Sequence, residues 1–277
     1  MKIVFFGTPE LATNVLQALI DAEGFDVVAT VTRPDKAVGR DPAITPSPVK
    51  ALATGRGIPV LDFASLKTAV AVDALRTLNA DVFVVFNYGK IIPPAVLEIP
   101  PLGCVNLHPS LLPKYRGPTP YLSALLNGET ETGVSIMLLD AGMDTGPILA
   151  TTRVPIMPDD TTPELAERLI AAGTPVLIAT LRGYAAGTIQ PVAQNDAEAT
   201  YTKLLDREDG LVTGKETPEE LDRKIRAYTP WPGCYTIIKR NGKDLRVKLL
   251  PGGMVQPEGK KPMALSEFER GYGQLFS

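Results

Sequence analysis

The fold is decided by residues 2–23, KIVFFGTPELATNVLQALIDAE. The run opens as an unbroken apolar stretch ending at Gly7, and from there Leu11, Val15, Leu16, Leu19 and Ile20 recur at helical spacing. That change of period reads as strand, turn, helix. Two more β-branched runs, FDVVATVT at 25–32 and ADVFVVF at 80–86, have the near-continuous hydrophobicity of strands buried on both faces, and a polar, helix-compatible stretch from Ser65 to Asn79 lies between them. Alternation of this kind predicts an α/β domain with a Rossmann-like, mostly parallel sheet. The first turn reads GTPE and holds no GxGxxG, so Rossmann-like describes topology here and not a dinucleotide site.

Further along, DDTTPELAERLIAAGTPVLIATLRGY at 159–184 offers Thr161 or Thr162 as N-cap and Pro163 near the first helical position. Leu165, Leu169, Val176, Leu177 and Leu181 follow on roughly one face, as expected of the helix that closes the first domain. From Ala186 to Thr202 the pattern dissolves into Gly, Pro, Gln, Asn and Thr, which reads as an exposed connector. TPEELDRKIRAYTPWPG at 217–233 then opens with a capping box, Thr217 to Glu220, and is stopped by Pro230 and Pro232. Two strand-like runs flank Asn241-Gly242, a strong hairpin signal. The expected organisation is a catalytic domain over 1–185, a linker over 186–206, and a small β-barrel-like (OB-like) domain over 207–277.

A chain of 277 residues is long for one core, which agrees with two domains. Apolar residues make up 44% and charged residues 21%, excluding disordered and collagenous classes. Cys104 and Cys234, the only cysteines, have no spacing suited to zinc or a disulfide framework, and no apolar stretch approaches membrane-spanning length. A cytoplasmic location, no membrane and no metal are expected. Between Arg223 and Lys261, ten Lys/Arg face Asp244 and Glu258, a local balance of +8 that leaves −11 for the rest of a chain of net charge −3. A basic segment on an acidic body points either to a docked polyanion or to a merely solvated lysine-rich sheet.

His108 is the single histidine, in GCVNLHPS. Strand alternation puts Asn106 and His108 on one face of a strand end, and Pro109 then ends the ladder. Polar groups at the carboxyl end of a strand in an open α/β sheet stand where ligands usually bind. Downstream, LLDAGMDTGPIL brackets a Gly-containing loop between Asp140 and Asp144. An Asp beside an imidazole can fix its tautomer and stabilise its cation, and an Asn amide can donate to a developing oxyanion. Each Asp could equally cap a loop, the reading preferred for Asp140.

GTPE at 7–10, TPSPVK at 45–50, YGKIIP at 88–93, NLHPSLLPKYRG at 106–117, ETGVSIM at 131–137, DAGMDTG at 140–146, PWPG at 230–233 and VQPEGKKPM at 255–263 together resemble the methionyl-tRNA formyltransferase family. The Asn-x-His and SLLP elements are shared across the wider folate formyltransferase group, while VQPEGKKPM looks specifically like the tRNA enzymes. The resemblance implies a formyl group carried from 10-formyltetrahydrofolate, a reduced folate, to the amino group of an aminoacylated initiator tRNA, with no metal and a monomeric enzyme. It implies that Asn106 and His108 hold the formyl oxygen and that Asp144 pairs with His108 and helps to collect the amine proton. It assigns folate binding to Ser110, Leu111, Leu112, Pro113, Tyr88 and Gly89 and brings the loop of Arg40 to the tRNA, while the +8 balance of the C-terminal segment adds Lys239, Arg240, Lys243 and Lys248 as expected tRNA contacts. The loop after Arg40 reads GRDPAI and lacks the lysines common in the family. The competing acceptor is a nucleotide-linked amino sugar, served by an N-formyltransferase on the same first domain.

Overall fold

A computed structural model describes residues 1–37, 44–240 and 242–276 of the chain. In order they form β1 (Lys2–Phe6), α1 (Glu10–Asp21), β2 (Asp26–Val31), β3 (Lys36–Ala37), β4 (Ile44–Thr45), α2 (Pro48–Gly55), β5 (Val60–Leu61), α3 (Ala69–Thr77), β6 (Val82–Val85), α4 (Pro94–Leu97) and β7 (Cys104–His108). There follow α5 (Pro120–Leu126), β8 (Glu131–Leu138), β9 (Ile148–Pro155), α6 (Thr162–Ala185), α7 (Pro218–Ala227), β10 (Cys234–Arg240), β11 (Lys243–Leu250), β12 (Met254–Pro257), β13 (Met263–Ala264) and α8 (Leu265–Tyr272). The chain divides into two compact units: 1–116, 133–154 and 167–200 form one, and 117–132, 155–166 and 201–276 belong to the other. No helix among the described residues is long and apolar enough to cross a membrane.

The first unit is built on a seven-stranded sheet in the order β5-β2-β1-β6-β7-β8-β9. The pairs β2·β5, β1·β2, β1·β6 and β6·β7 are parallel, and β8 turns antiparallel against β7. Continuous hydrophobicity in β1 follows from burial on both faces: Val4 and Phe6 join Val31, Leu75, Phe83 and Val85 in one cluster, while Ile3 and Phe5 are buried on the opposite face. Each such side chain contributes roughly 1.5–3 kcal/mol by leaving water. The helical spacing read in α1 is what buries Val15, Leu16 and Leu19. Chain order reverses at β1, because β2 and β5 lie to one side and β6 and β7 to the other. Loops leaving the carboxyl ends of β1, β6 and β7 therefore gather at the switch point that favours ligand binding.

In α6 the side chains of Leu165, Leu169, Leu177 and Leu181 are buried and Val176 is half-buried. At its start Thr161 donates through its amide and hydroxyl to Glu164. The second unit carries an antiparallel sheet in the order β10-β11-β12-β13. Both hydrogen bonds of the capping box are present at the start of α7, from Glu220 N to Thr217 Oγ1 and from Thr217 N to Glu220 Oε2. The β10·β11 register closes with Arg240 opposite Lys243, and Gly242 before Lys243 adopts φ 74°. That left-handed backbone costs a glycine little and most residues considerably. Phe268 of α8 is fully buried and stacks on Tyr272 with ring centroids 4.7 Å apart.

Candidate active site

Strand β7 carries Asn106 and His108 to the carboxyl edge of the sheet, Asn106 beside Val85 of β6 and His108 opposite Ser135 of β8. Asn106 is half-buried, whereas His108 is only 4% exposed. The His108 Nε2 lies 3.0 Å from the carbonyl oxygen of Tyr115. A carbonyl can only accept, so in the neutral ring the proton is on Nε2 and the lone pair is on Nδ1. Nδ1 faces the Asp144 carboxylate, with Oδ1 at 3.7 Å. Burial pushes the imidazole below its ordinary range, and the Asp144 charge works in the opposite direction. The resting ring is thus a neutral acceptor at Nδ1 beside a carboxylate that would stabilise its cation.

Asp144 holds φ 53°, a left-handed backbone that Asp and Asn adopt more readily than other non-glycine residues. Asp140 does different work: its Oδ1 accepts from Gly142 N at 3.0 Å and from Thr145 Oγ1 at 2.7 Å, the loop cap its sequence position admitted. Between His108 and β8 the Ser110–Pro113 loop is tethered by Ser135, whose Oγ donates to Ser110 O (2.8 Å) and accepts from Leu112 N (3.0 Å). Leu111 approaches Gly133 so closely that a Cβ there would collide with both its side chain and the Thr152 carbonyl. Leu112 is buried and Leu111 half-buried beside these backbone polar groups.

Tyr88 and Gly89 lie on the loop after β6. The Tyr88 ring is buried edge-on against Phe6, its carbonyl accepts from Thr8 Oγ1 (3.1 Å), and Gly89 is exposed. The Tyr88 ring therefore belongs to the core, and the backbone at 88–89 is what faces the carboxyl edge. Burial raises the thiols of Cys104 and Cys234 to about 12, so neither is a thiolate nucleophile at neutral pH. Among the described residues no group of three or more His, Cys, Asp or Glu is placed to hold a metal ion.

The family described as Formyl transferase matches residues 1–181, and its C-terminal domain matches residues 204–252. A methionyl-tRNA formyltransferase of Roseiflexus sp. (strain RS-1) is 42% identical, the match covering 98% of this chain and 92% of that one. The chain belongs to the methionyl-tRNA formyltransferase family. Its fold is similar to the solved methionyl-tRNA formyltransferase from Clostridium thermocellum (TM-score 0.64, 16% identity, 95% of this chain and 99% of that one). It is equally similar in fold to a sugar N-formyltransferase from Shewanella sp FDAARGOS_354 (TM-score 0.67, 19% identity, 91% and 98%).

In this formyltransferase the residues expected to meet tRNA do not share one surface. Alternation along β10 and β11 turns Lys239 and Lys248 to the same side as the exposed Arg246, while Arg240 and Lys243 alternate to the other. Lys239 pairs with Asp244, and the Arg240 guanidinium sits 3.9 Å from the centre of the Tyr272 ring. Arg246, 3.6 Å over Tyr235, lines a cavity of about 460 Å³ together with Arg207, Trp231, Lys248 and Gln256. Arg40 lies outside the described residues. Sequence reading gave no role to Tyr115, Arg116 and Ser135, although they fall within the quoted stretches 106–117 and 131–137, and none to Gln194, which lies in no such stretch. Only spatial proximity to His108 or to its loops reveals them.

Proposed function

We infer that this chain transfers the formyl group of 10-formyltetrahydrofolate to the free amino group of methionyl-tRNA for translation initiation. The observation that carries this is identity of 42% to a methionyl-tRNA formyltransferase over almost the whole of both chains. The amino-sugar reading has no comparable support, since the sugar enzyme cited above shares 19% identity and thus the fold alone. Asn106 and His108 face the formyl oxygen, and Asp144 acts through His108. The acceptor ammonium gives one proton to the unprotonated Nδ1 of His108, and the freed amine nitrogen bonds to the formyl carbon while the carbonyl pair moves onto the formyl oxygen; when that pair returns, the bond to the donor nitrogen breaks and the donor nitrogen leaves with the second proton of the amine. The imidazolium so formed, compensated by Asp144, donates to the charge developing on the formyl oxygen beside the Asn106 amide. When bound, the folate supplies the activated formyl group; Ser110, Leu111, Leu112, Pro113 and the backbone at Tyr88 and Gly89 would hold it.

Residues 1–185 form the catalytic domain in this reading, 186–206 the linker, and 207–277 a tRNA-binding domain in which Lys239, Arg240, Lys243 and Lys248 contact phosphates, aided by Arg40 of the first domain. The enzyme is cytoplasmic and monomeric. A competition assay with 10-formyltetrahydrofolate, Met-tRNA and a nucleotide-linked amino sugar tests the assignment. Formylation of the tRNA alone is expected, and formylation of the sugar alone would overturn it.

A further inference from the structure

We propose that Gln194 and Thr200, within the stretch that reads from sequence as a connector, are positioning residues that hold both partners of His108. The proposal rests on the reading of His108 as the group that handles the proton. The Gln194 side-chain amide has two distinct ends, and each is committed. Its Oε1 accepts from Arg116 Nε (3.1 Å) and Nη2 (2.8 Å), and its Nε2 donates to Asp144 O (2.8 Å) and Gly146 O (2.7 Å). Guanidinium can only donate and carbonyls can only accept, so the amide cannot flip without losing all four bonds. Arg116 is itself fixed, being 1% exposed with Nη2 2.7 Å from Asp196 Oδ1.

The two bonds from Gln194 Nε2 span the residues on either side of Thr145 and so hold the turn in which Asp144 sits at φ 53°. Relaxation of that backbone toward an ordinary conformation would swing the carboxylate away from Nδ1. Thr200 does the matching job on the other side. Its Oγ1 accepts from Tyr115 N (2.8 Å) and its carbonyl from Arg116 N (2.9 Å), holding Tyr115 at φ 61°, where its own carbonyl meets His108 Nε2. Two left-handed residues, one at each nitrogen of the imidazole, are thus pinned by the single run 194–200. Tyr115 sets which nitrogen carries the proton at rest, and Asp144 sets how readily the other nitrogen takes one up.

Because His108 is the only histidine, ¹⁵N NMR of the full-length chain reads its tautomer and titration without ambiguity. Gln194→Met, neutral and of similar length, is expected to lower the His108 midpoint by about one pH unit, the scale of weakening a nearby opposite charge, and turnover about tenfold. The Michaelis constant for folate should stay within about twofold, as expected when binding is untouched. Thr200→Val should instead raise the share of the Nδ1–H tautomer, because the Tyr115 carbonyl is no longer held. A merely structural role would lower the melting temperatures while leaving midpoint and tautomer as in the parent, and that result overturns the proposal. Should Gln194→Met fail to fold, Thr200→Val decides alone, an unchanged tautomer sinking the idea. If His108→Ala kept full activity while Gln194→Met still moved the midpoint, the catalytic reading would fall and the positioning role would stand.

Discussion

At the His108 corner, a buried imidazole lies between a carbonyl and a carboxylate drawn from two other loops, both held by further hydrogen bonds. On the β10–β11 hairpin, the charged side chains stand exposed at positions set by strand alternation, and the ion pair Lys239 to Asp244 joins two well-exposed groups. Charges in the first place sit in a low-dielectric setting where sub-ångström placement changes their energy, so single substitutions should be severe. Charges in the second are screened by water and salt and act nearly additively, so single substitutions should be mild.

The largest effect that could break this contrast is at the reacting centre. His108→Ala and Asn106→Ala should each lower turnover by roughly two to three powers of ten, the scale of losing an oxyanion donor, with folding retained by circular dichroism. A near-normal rate with Met-tRNA in either variant would remove the site from this corner. Asp144→Asn comes next, at roughly one to two powers of ten in turnover with folate binding preserved. Asn tolerates the left-handed backbone at 144, so this change isolates the charge. Asp140→Asn should cost far less, since an amide oxygen can still cap Gly142 and Thr145. Equal damage at both positions would show that the loop's shape matters and the carboxylate does not.

A smaller effect is expected on the hairpin. Neutralising Lys239, Arg240, Lys243 and Lys248 together should raise the Michaelis constant for tRNA about tenfold or more, flatten its dependence on salt, and leave the saturated rate unchanged. Dividing the four by face sharpens the comparison, because Lys239 and Lys248 share their side with Arg246 while Arg240 leans on Tyr272. Loss of the first pair should do more than loss of the second. Identical losses in steady-state kinetics would argue for a diffuse field instead of a docking face.

The mildest expectation concerns pH. Burial holds the His108 pKa below its ordinary value of 6.5, so the neutral ring needed to accept a proton persists to lower pH than in a free imidazole. Activity should fall only as pH drops through that lowered value. Stability should follow the matching sign: the unfolded chain takes up a proton near 6.5 while the folded chain does not, so stability declines as pH falls below 6.5 and levels off beneath the folded pKa. An acid limb in kcat/KM at or above 6.5 would contradict the burial of this ring.

Residues 2–23 by themselves determined a strand, a turn and a helix, because hydrophobic period is a local property of the chain, and the same holds for the capping box at Thr217 and the hairpin pairing of β10 with β11. Alternation likewise put Asn106 and His108 on one face at the end of β7. What only the tertiary structure decided is what touches the imidazole. The Tyr115 carbonyl, the Gln194 amide and the Thr200 hydroxyl carry no pattern of their own. Backbone carbonyls are the same at every residue, and a polar run from 186 to 202 with no hydrophobic period has the composition of any exposed connector. Their function arises from hydrogen-bond geometry across distant segments, and pairing between distant segments leaves no periodic trace in a single sequence. For the same reason the four cations of the hairpin could be counted from the sequence, whereas their division between two faces followed from the register of β10 against β11.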